Sequence, residues 1–416
     1  VHFGAQEAGS LSTGGLHMLQ KLKKIDYVIV VVLFALMAIS IISLYSVTNG
    51  RVSAGLNVDG YHIRMLIYYG ISFVAFIVLV LFDYRLLIKY AWVIYIVGLV
   101  LLGVASFIGE ATNGAKGWLN IGGLSLQPAE LFKLCLILFL TFVLVRINKN
   151  KLSFWSNIVP IGLLAFIPFV IVIAQNDLGN SLSYVIILIG LLWIGNIKFS
   201  HALIGLFIMI GVIIGGMQGY IHYHDEIKTT LESIDKAHWV ERLDPWLVPE
   251  KATAKAKYHT DNAKLAIASG GMSGEGYMKG TSVQTERVPY TYSDSIFVQI
   301  AEEFGFVGAS VLLLLYFVMI HRMILISLEC RDRAGPYIIV GVVSMMLYQI
   351  FENIGAFIGI MPLTGITLPF ISYGGTSLLI NMASIGIVMS VRVHGQNVEE
   401  EMVVQPLSYS SGGKKN

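Results

Sequence analysis

Charge is scarce in this chain. Of its 416 residues only 13% are Asp, Glu, Lys or Arg, against about 25% in a soluble protein. By contrast 56% are hydrophobic, and the mean hydropathy is +0.73. A soluble domain built from buried helices would still need polar faces on those helices, and few of the apolar runs have any. Cysteine is scarcer still. Cys135 and Cys330 both fall in or beside apolar runs, which argues for core or lipid-facing thiols and against a disulfide framework or a thiolate metal site. His222, His224, His238 and His259 are scattered, with no HxxxH or HExxH spacing, so no zinc site is expected. A net charge of +2 without a basic stripe argues against a nucleic-acid partner. No Walker-type glycine-rich phosphate loop occurs anywhere.

Long apolar runs are abundant. Ten stretches are each long enough to cross a hydrocarbon core of about 30 Å. They lie near 26–47, 64–82, 86–108, 129–146, 156–174, 179–195, 200–220, 297–320, 337–361 and 372–392. Connections as short as Asp83-Tyr84-Arg85 make neighbouring helices antiparallel. The expected fold is an all-α polytopic membrane protein of about ten transmembrane helices, with a large polar loop, 221–294, between helices 7 and 8. Residues 1–17 are Gly/Ser-rich and precede Met18, so they read as a tag or linker remnant. Residues 18–396 form one membrane domain and 397–416 a tail.

Cationic residues fix the expected orientation. Lys21, Lys23, Lys24, Arg85, Arg146, Lys149, Lys151, Lys198, Arg322, Arg331, Arg333 and Arg392 all fall on one set of alternate connections. The other short connections hold little beyond Arg51, Arg64 and Lys116. Both termini are therefore expected inside and the 221–294 loop outside. ATP and nucleotide-sugars are essentially cytoplasmic, so an enzyme working on the outer face must use a donor already in the membrane.

Four outer segments carry the residues that could do chemistry. The first holds Lys116 and Trp118, then Gln127-Pro128-Ala129-Glu130, with Glu130 and Lys133 spaced i, i+3 to pair on one helix face. Trp118 reads equally as an interfacial anchor. In the second, Gln175-Asn176-Asp177-Leu178-Gly179, Asp177 suits a helix N-cap or the mouth of a cavity. The third is the long loop, with Arg242, Arg287 and Asp294. Asp294 sits where the loop re-enters the membrane. It suits an N-cap, or a carboxylate whose partial desolvation raises its pKa toward that of a general base. The fourth runs from Asn353 through Pro362, Gly365 and Pro369 to Ser372-Tyr373-Gly374-Gly375, whose prolines and glycines imply non-helical backbone lining a cavity.

That last stretch resembles the signature of the SEDS family (shape, elongation, division and sporulation). The resemblance extends over Ile25 to Val393 and takes in the Lys116/Trp118 loop, the Gln127-Pro128-x-Glu130 motif and the Gln175-x-Asp177-x-Gly179 loop. The Gly-Ala-Lys-x-Trp run and Gly-Ile-Met-Pro are closer to the RodA branch than to the FtsW branch. The resemblance implies a peptidoglycan glycosyltransferase of cell elongation in the bacterial cytoplasmic membrane. It would polymerise lipid II, holding undecaprenyl-linked glycan among the membrane lipids, with a class B penicillin-binding protein as transpeptidase partner. It also implies that Asp294 is the catalytic aspartate. Lys116, Trp118, Glu130, Lys133, Gln175, Asp177, Arg242 and Arg287 are the candidate substrate-binding residues. No metal ligands are expected, although a pyrophosphate leaving group leaves room for a divalent cation, Mg or Mn. The chain departs from the family pattern at Tyr290, which stands where Glu is usual, at Tyr292, Ser293 and Ser295 around the aspartate, and at Asn176 and Asn262. The rival expectations are a lipid-linked oligosaccharide flippase, a scaffold for a division partner, and a relative that polymerises a related lipid-linked sugar.

Overall fold

The computed structural model describes residues 24–53, 60–112, 115–121, 124–147, 151–234 and 236–395. The expected tag, the expected tail, and Lys21, Lys23 and Lys149 lie outside the described residues. The chain begins with α1 (Tyr27–Ser53), α2 (Tyr61–Leu81), the short α3 (Tyr84–Lys89) and α4 (Ala91–Ile108). Next come β1 (Glu110–Thr112), β2 (Ala115–Ile121) and β3 (Leu124–Leu126), an antiparallel sheet in the order β1-β2-β3. Then follow α5 (Pro128–Arg146), α6 (Val159–Ala174), α7 (Leu178–Ile194) and α8 (Phe199–His222). The polar loop holds α9 (His224–Ser233), α10 (Ala237–Leu247), α11 (Ala254–Ser269) and α12 (Thr281–Gln284). The bundle closes with α13 (Ile296–Glu329), α14 (Ala334–Ile358) and α15 (Gly375–His394).

Nine helices among the described residues are long and apolar enough to span a membrane, and the 17-residue α7 is an apolar tenth. Apolar sequence becomes helix here because a backbone without water must satisfy its own hydrogen bonds. Local signals set the ends. Asp83 accepts from the Arg85 N–H to start α3, and Pro128 opens α5, where its missing N–H costs nothing. Helices α5, α14 and α15 form the centre, whereas the apolar stretch of α8 has no buried residue and stands at the perimeter.

Different groups occupy the two ends of the bundle. At one end Arg322 pairs with Asp26 (3.0 Å), Arg85 lies 3.9 Å from Asp332, and Arg392 pairs with Glu329. The sheet, the 175–177 connection, the 221–295 segment and the 359–374 connection all gather at the opposite end. The Lys116 N–H donates to the Gln175 carbonyl (2.8 Å), the Thr376 hydroxyl to the Ser125 carbonyl (2.7 Å), and Arg242 to the Thr364 carbonyl (3.1 Å). Alternate connections of the sequence are thus gathered at two opposite ends of the bundle.

Three elements differ from the expectation. The connection after α4 contains a three-stranded sheet, a departure from the expected all-α fold. The 221–294 loop is largely four helices. The eighth span is 34 residues long and contains a break at Gly305. There the backbone has φ +64°, open to glycine at little cost. A Cβ at Gly305 would lie 2.4 Å from the Gly274 nitrogen, so the break exists to admit the 270–276 strap. Strap and helix exchange backbone bonds: Phe306 N–H to Gly271 O (2.9 Å) and Glu275 N–H to Glu302 O (2.9 Å). The buried Glu302 carboxylate then accepts from the Ser282 and Val283 N–H groups at the start of α12 (2.8 and 3.0 Å). These contacts hold both ends of the turn that carries Asp294.

Candidate active site

Asp294 lies in the turn between α12 and α13, and the turn is fastened to the 359–374 connection by two direct hydrogen bonds and by a bridge through Asn353. Asn353, buried on α14, donates through Nδ2 to the carbonyls of both Asp294 (2.8 Å) and Ile366 (2.7 Å). The Ser372 hydroxyl donates to the Ser293 carbonyl (2.7 Å), and the Tyr373 N–H to the Tyr292 carbonyl (2.9 Å). On the other side, His259 of α11 faces the Ser295 hydroxyl (3.3 Å), which itself donates to the Pro289 carbonyl (2.8 Å). Burial pushes the His259 imidazole down to about 4, so it is neutral at neutral pH and donates to Ser295.

The Asp294 side chain is not a helix cap. The N-cap of α13 is Ser295, and no side-chain hydrogen bond is made there. The carboxylate turns instead toward Gly365, where an added Cβ would lie 3.3 Å from Asp294 Oδ2 and 4.0 Å from Arg242 Nη2. Gly365 has φ +84°, a left-handed conformation that side chains rarely adopt. Loss of hydration raises the Asp294 carboxyl from 3.8 to about 7, and the Arg242 guanidinium and the Ser293 hydroxyl oppose that rise without cancelling it. The result is a carboxyl group that is half ionised near neutral pH, with a cation beside it.

Arg242 is placed by its helix. Asp244, one turn-edge away on α10, is buried and accepts from the Tyr220 hydroxyl at the end of α8 (2.6 Å), and it faces His224 Nε2 (3.0 Å). That anchor turns Arg242 onto the Thr364 carbonyl (3.1 Å). A small cleft opens beside it, walled by Leu178, Trp239, Leu243, Pro362 and Leu363, with Arg242 and Thr364 as its polar edge. Behind Thr364, the buried Glu352 accepts from the Thr364 N–H (3.2 Å) and hydroxyl.

A second polar layer adjoins the first. Glu130 and Lys133 form a 2.7 Å ion pair with almost no exposure. Asp177 caps α7 through the Asn180 N–H (3.0 Å) and also accepts from Gln127 Nε2 (2.8 Å). Gln175 donates to the Leu102 carbonyl and the Ser106 hydroxyl (3.0 and 2.7 Å). The layers meet at Gly179, where a Cβ would lie 2.8 Å from Thr364 Oγ1. Lys116 is exposed on β2 and Trp118 half-buried beside it. Arg287 is exposed on the turn after α12, and the cation that acts on Asp294 is Arg242.

Asp294 and Arg242 are thus brought together, Glu130, Lys133, Gln175 and Asp177 lie in the adjoining polar layer, and Arg287 stands apart. His259, Thr364 and Glu352 are contributors that sequence reasoning did not place at the site; only the polarity of Glu352 within an apolar span could have signalled it. Among the described residues no three carboxylate, histidine or cysteine side chains converge.

Residues 25–397 match a family model described as Cell cycle protein, covering FtsW, RodA and SpoVE. Stage V sporulation protein E of Bacillus subtilis (strain 168) is 32% identical over 332 residues, 79% of this chain and 86% of the relative. Peptidoglycan glycosyltransferase MrdB of Escherichia coli (strain K12) is 33% identical over 302 residues, 72% of this chain and 77% of the relative. Among solved structures, a chain from a peptidoglycan synthase complex that coordinates polymerization and crosslinking superposes with TM-score 0.70 at 25% identity, covering 88% of this chain and 97% of that one. Rod shape determining protein RodA of Thermus thermophilus superposes with TM-score 0.64 at 25% identity, covering 90% and 98%. The match to the family model, the two relatives and the shared fold agree, and the chain belongs to the SEDS family of FtsW, RodA and SpoVE.

Proposed function

We propose that this protein is a peptidoglycan glycosyltransferase that polymerises lipid II at the outer face of the bacterial cytoplasmic membrane. Asp294 is the general base. The observation that carries this reading is the Asp294 carboxyl, released from capping duty, raised to about 7 and set beside Arg242 and the left-handed Gly365. A base poised near the working pH combines availability with proton affinity.

In the reaction, Asp294 takes the proton of the 4-hydroxyl of the acceptor's terminal GlcNAc. The O4–C1 bond to the donor MurNAc forms as the bond from C1 to the pyrophosphate oxygen breaks, which inverts the anomeric carbon. The electron pair leaves on polyprenyl pyrophosphate, and Arg242 stabilises that growing negative charge. Glu130, Lys133, Gln175 and Asp177 shape the polar floor next to the site, while Lys116, Trp118 and Arg287 stand at its margin. Both termini are cytoplasmic, and α9–α12 stand outside. The likeness to a synthase-complex chain and to RodA supports a class B penicillin-binding protein as partner and a role in cell elongation.

The deciding experiment incubates purified protein with lipid II, with and without that partner, and resolves the products by length. Glycan polymer is expected, and the Asp294→Asn protein should make none. A protein that moves lipid II across vesicles but leaves it unpolymerised would be a flippase, and the reading would fail.

A further inference from the structure

Two sets of tyrosines adjoin the core of the bundle and the Asp294 turn. Tyr69, Tyr184 and Tyr316 are fully buried in the bundle, and each sends its hydroxyl to a backbone carbonyl, of Phe370, Ala129 and Pro369 respectively. The other group is half-buried and packs ring on ring beside the Asp294 turn. Tyr61, at the start of α2, stacks on Tyr292 with centroids 4.4 Å apart and planes 9° from parallel. Tyr373 stands edge-on to Tyr61 (5.0 Å, 64°) and to Tyr292 (6.2 Å, 73°), and Tyr68 tilts against it at 5.8 Å. Tyr290, exposed, continues the row at 6.4 Å from Tyr292.

The row is rigidly tied to the reacting carboxylate. Tyr292 is two residues from Asp294, and its carbonyl receives the Tyr373 N–H. The turn also divides the space around it. Asp294 points toward Arg242 and Gly365, whereas Tyr292 points toward α2. An aromatic belt at the headgroup level would place rings singly around the perimeter. Here the rings converge on one turn, with Arg64 and Tyr68 hydrogen-bonding to Tyr373 at the margin.

We propose that Tyr61, Tyr68, Tyr292 and Tyr373 form a stacking platform for the pyranose rings of the growing glycan. A hexopyranose presents an apolar C–H face and a rim of hydroxyls. A tyrosine matches it with a flat ring and a polar tip, and so can hold a sugar without fixing one register. Arg64 supplies a cation for carboxylates on the peptide-bearing sugar. The arrangement assigns the two sides of the turn: pyrophosphate leaves on the Arg242 side, and the nascent strand lies over the tyrosines. This assignment rests on the polymerase reading, but binding to the platform can be measured without turnover.

The test uses full-length Asp294→Asn protein in lipid nanodiscs and a soluble β-1,4-linked GlcNAc–MurNAc tetrasaccharide, with affinity measured by titration calorimetry. Tyr292→Leu and Tyr61→Leu, each introduced separately, should weaken binding about tenfold, equivalent to about 1.4 kcal/mol. Tyr292→Phe keeps the ring and should stay within about twofold of the parent. Thermal melting in the same nanodiscs identifies any variant that has lost its fold, and the Tyr61 and Tyr292 changes stand in for one another in that event. Unchanged affinity in both leucine variants, equal loss in Tyr292→Phe and Tyr292→Leu, or no binding by the parent would each overturn the platform. Lipid II turnover by the wild-type protein is a separate readout. Platform failure with turnover intact leaves the polymerase standing, and sugar binding without turnover does the reverse.

Discussion

Replacing Asp294 by asparagine should do two opposite things: abolish polymerisation and stabilise the protein at neutral and alkaline pH. The first follows from the base. Asparagine preserves the shape but cannot accept the acceptor's proton, and loss of general-base assistance costs about 10²–10⁴ in rate. The second follows from the raised carboxyl. An unfolded aspartate ionises near 3.8, whereas the folded one ionises near about 7. Between those values the folded state binds more protons than the unfolded state, so the wild-type protein loses stability as pH rises. One pKa unit is about 1.4 kcal/mol, which puts the ceiling near 4 kcal/mol. The carboxylate is only half-buried, and solvent screening leaves an expected effect of about 1–2 kcal/mol. Melting in detergent should therefore coincide for the two proteins near pH 4. The variant should pull ahead steadily to pH 7 and keep a constant lead above it. In parallel, wild-type kcat/KM should climb about tenfold per unit on the acid side of 7 and level off above 8. Equal melting at pH 8, or a flat rate profile between pH 6 and 8, would refute the assignment of a desolvated, catalytically ionising Asp294.

Arg242→Ala removes the cation that opposes the burial of Asp294 and the donor to the Thr364 carbonyl. Polymerisation should fall about 10²–10³-fold, and the residual rate profile should shift to higher pH, as read by polymer yield across a pH series. Gly365→Ala should lower the rate at least about tenfold while the protein still melts cooperatively, because the Cβ intrudes beside Asp294 Oδ2 at a φ of +84° that alanine resists; a fully active variant would show that the carboxylate does not work in that pose. Orientation is checked by cysteines placed at Lys255 and Lys151, both exposed. An impermeant maleimide should label Lys255→Cys and spare Lys151→Cys in intact cells, and the reverse pattern would put the site on the wrong face for a membrane-borne donor.

Length and apolarity made the spans legible, since a backbone in lipid has only the helix as a single-segment solution. The same rule is silent once the chain leaves the bilayer. The sheet of 110–126 is too short, and too mixed in side chains, to show an alternation, and its pairing is decided by contact with Gln175 and Thr376. Nor could the sequence rank Arg242 against Arg287, two cations on one polar loop. Their difference arises from Asp244, which Tyr220 and His224 pin so that α10 presents Arg242 to Thr364. The two aspartates make the point most directly. Asp177 and Asp294 each precede an apolar helix, and each suits a cap or a cavity. Asp177 is the residue immediately before α7, so its carboxylate reaches the Asn180 N–H and is committed to capping. Before α13, Tyr290 takes a positive φ of 55°, the N–H groups of Ser293 and Ser295 both fold back onto the Tyr290 carbonyl, and Ser295 becomes the residue at the cap. That one-residue displacement frees the Asp294 carboxylate from the helix and leaves it facing Arg242, a consequence of turn geometry that residue identity alone does not encode.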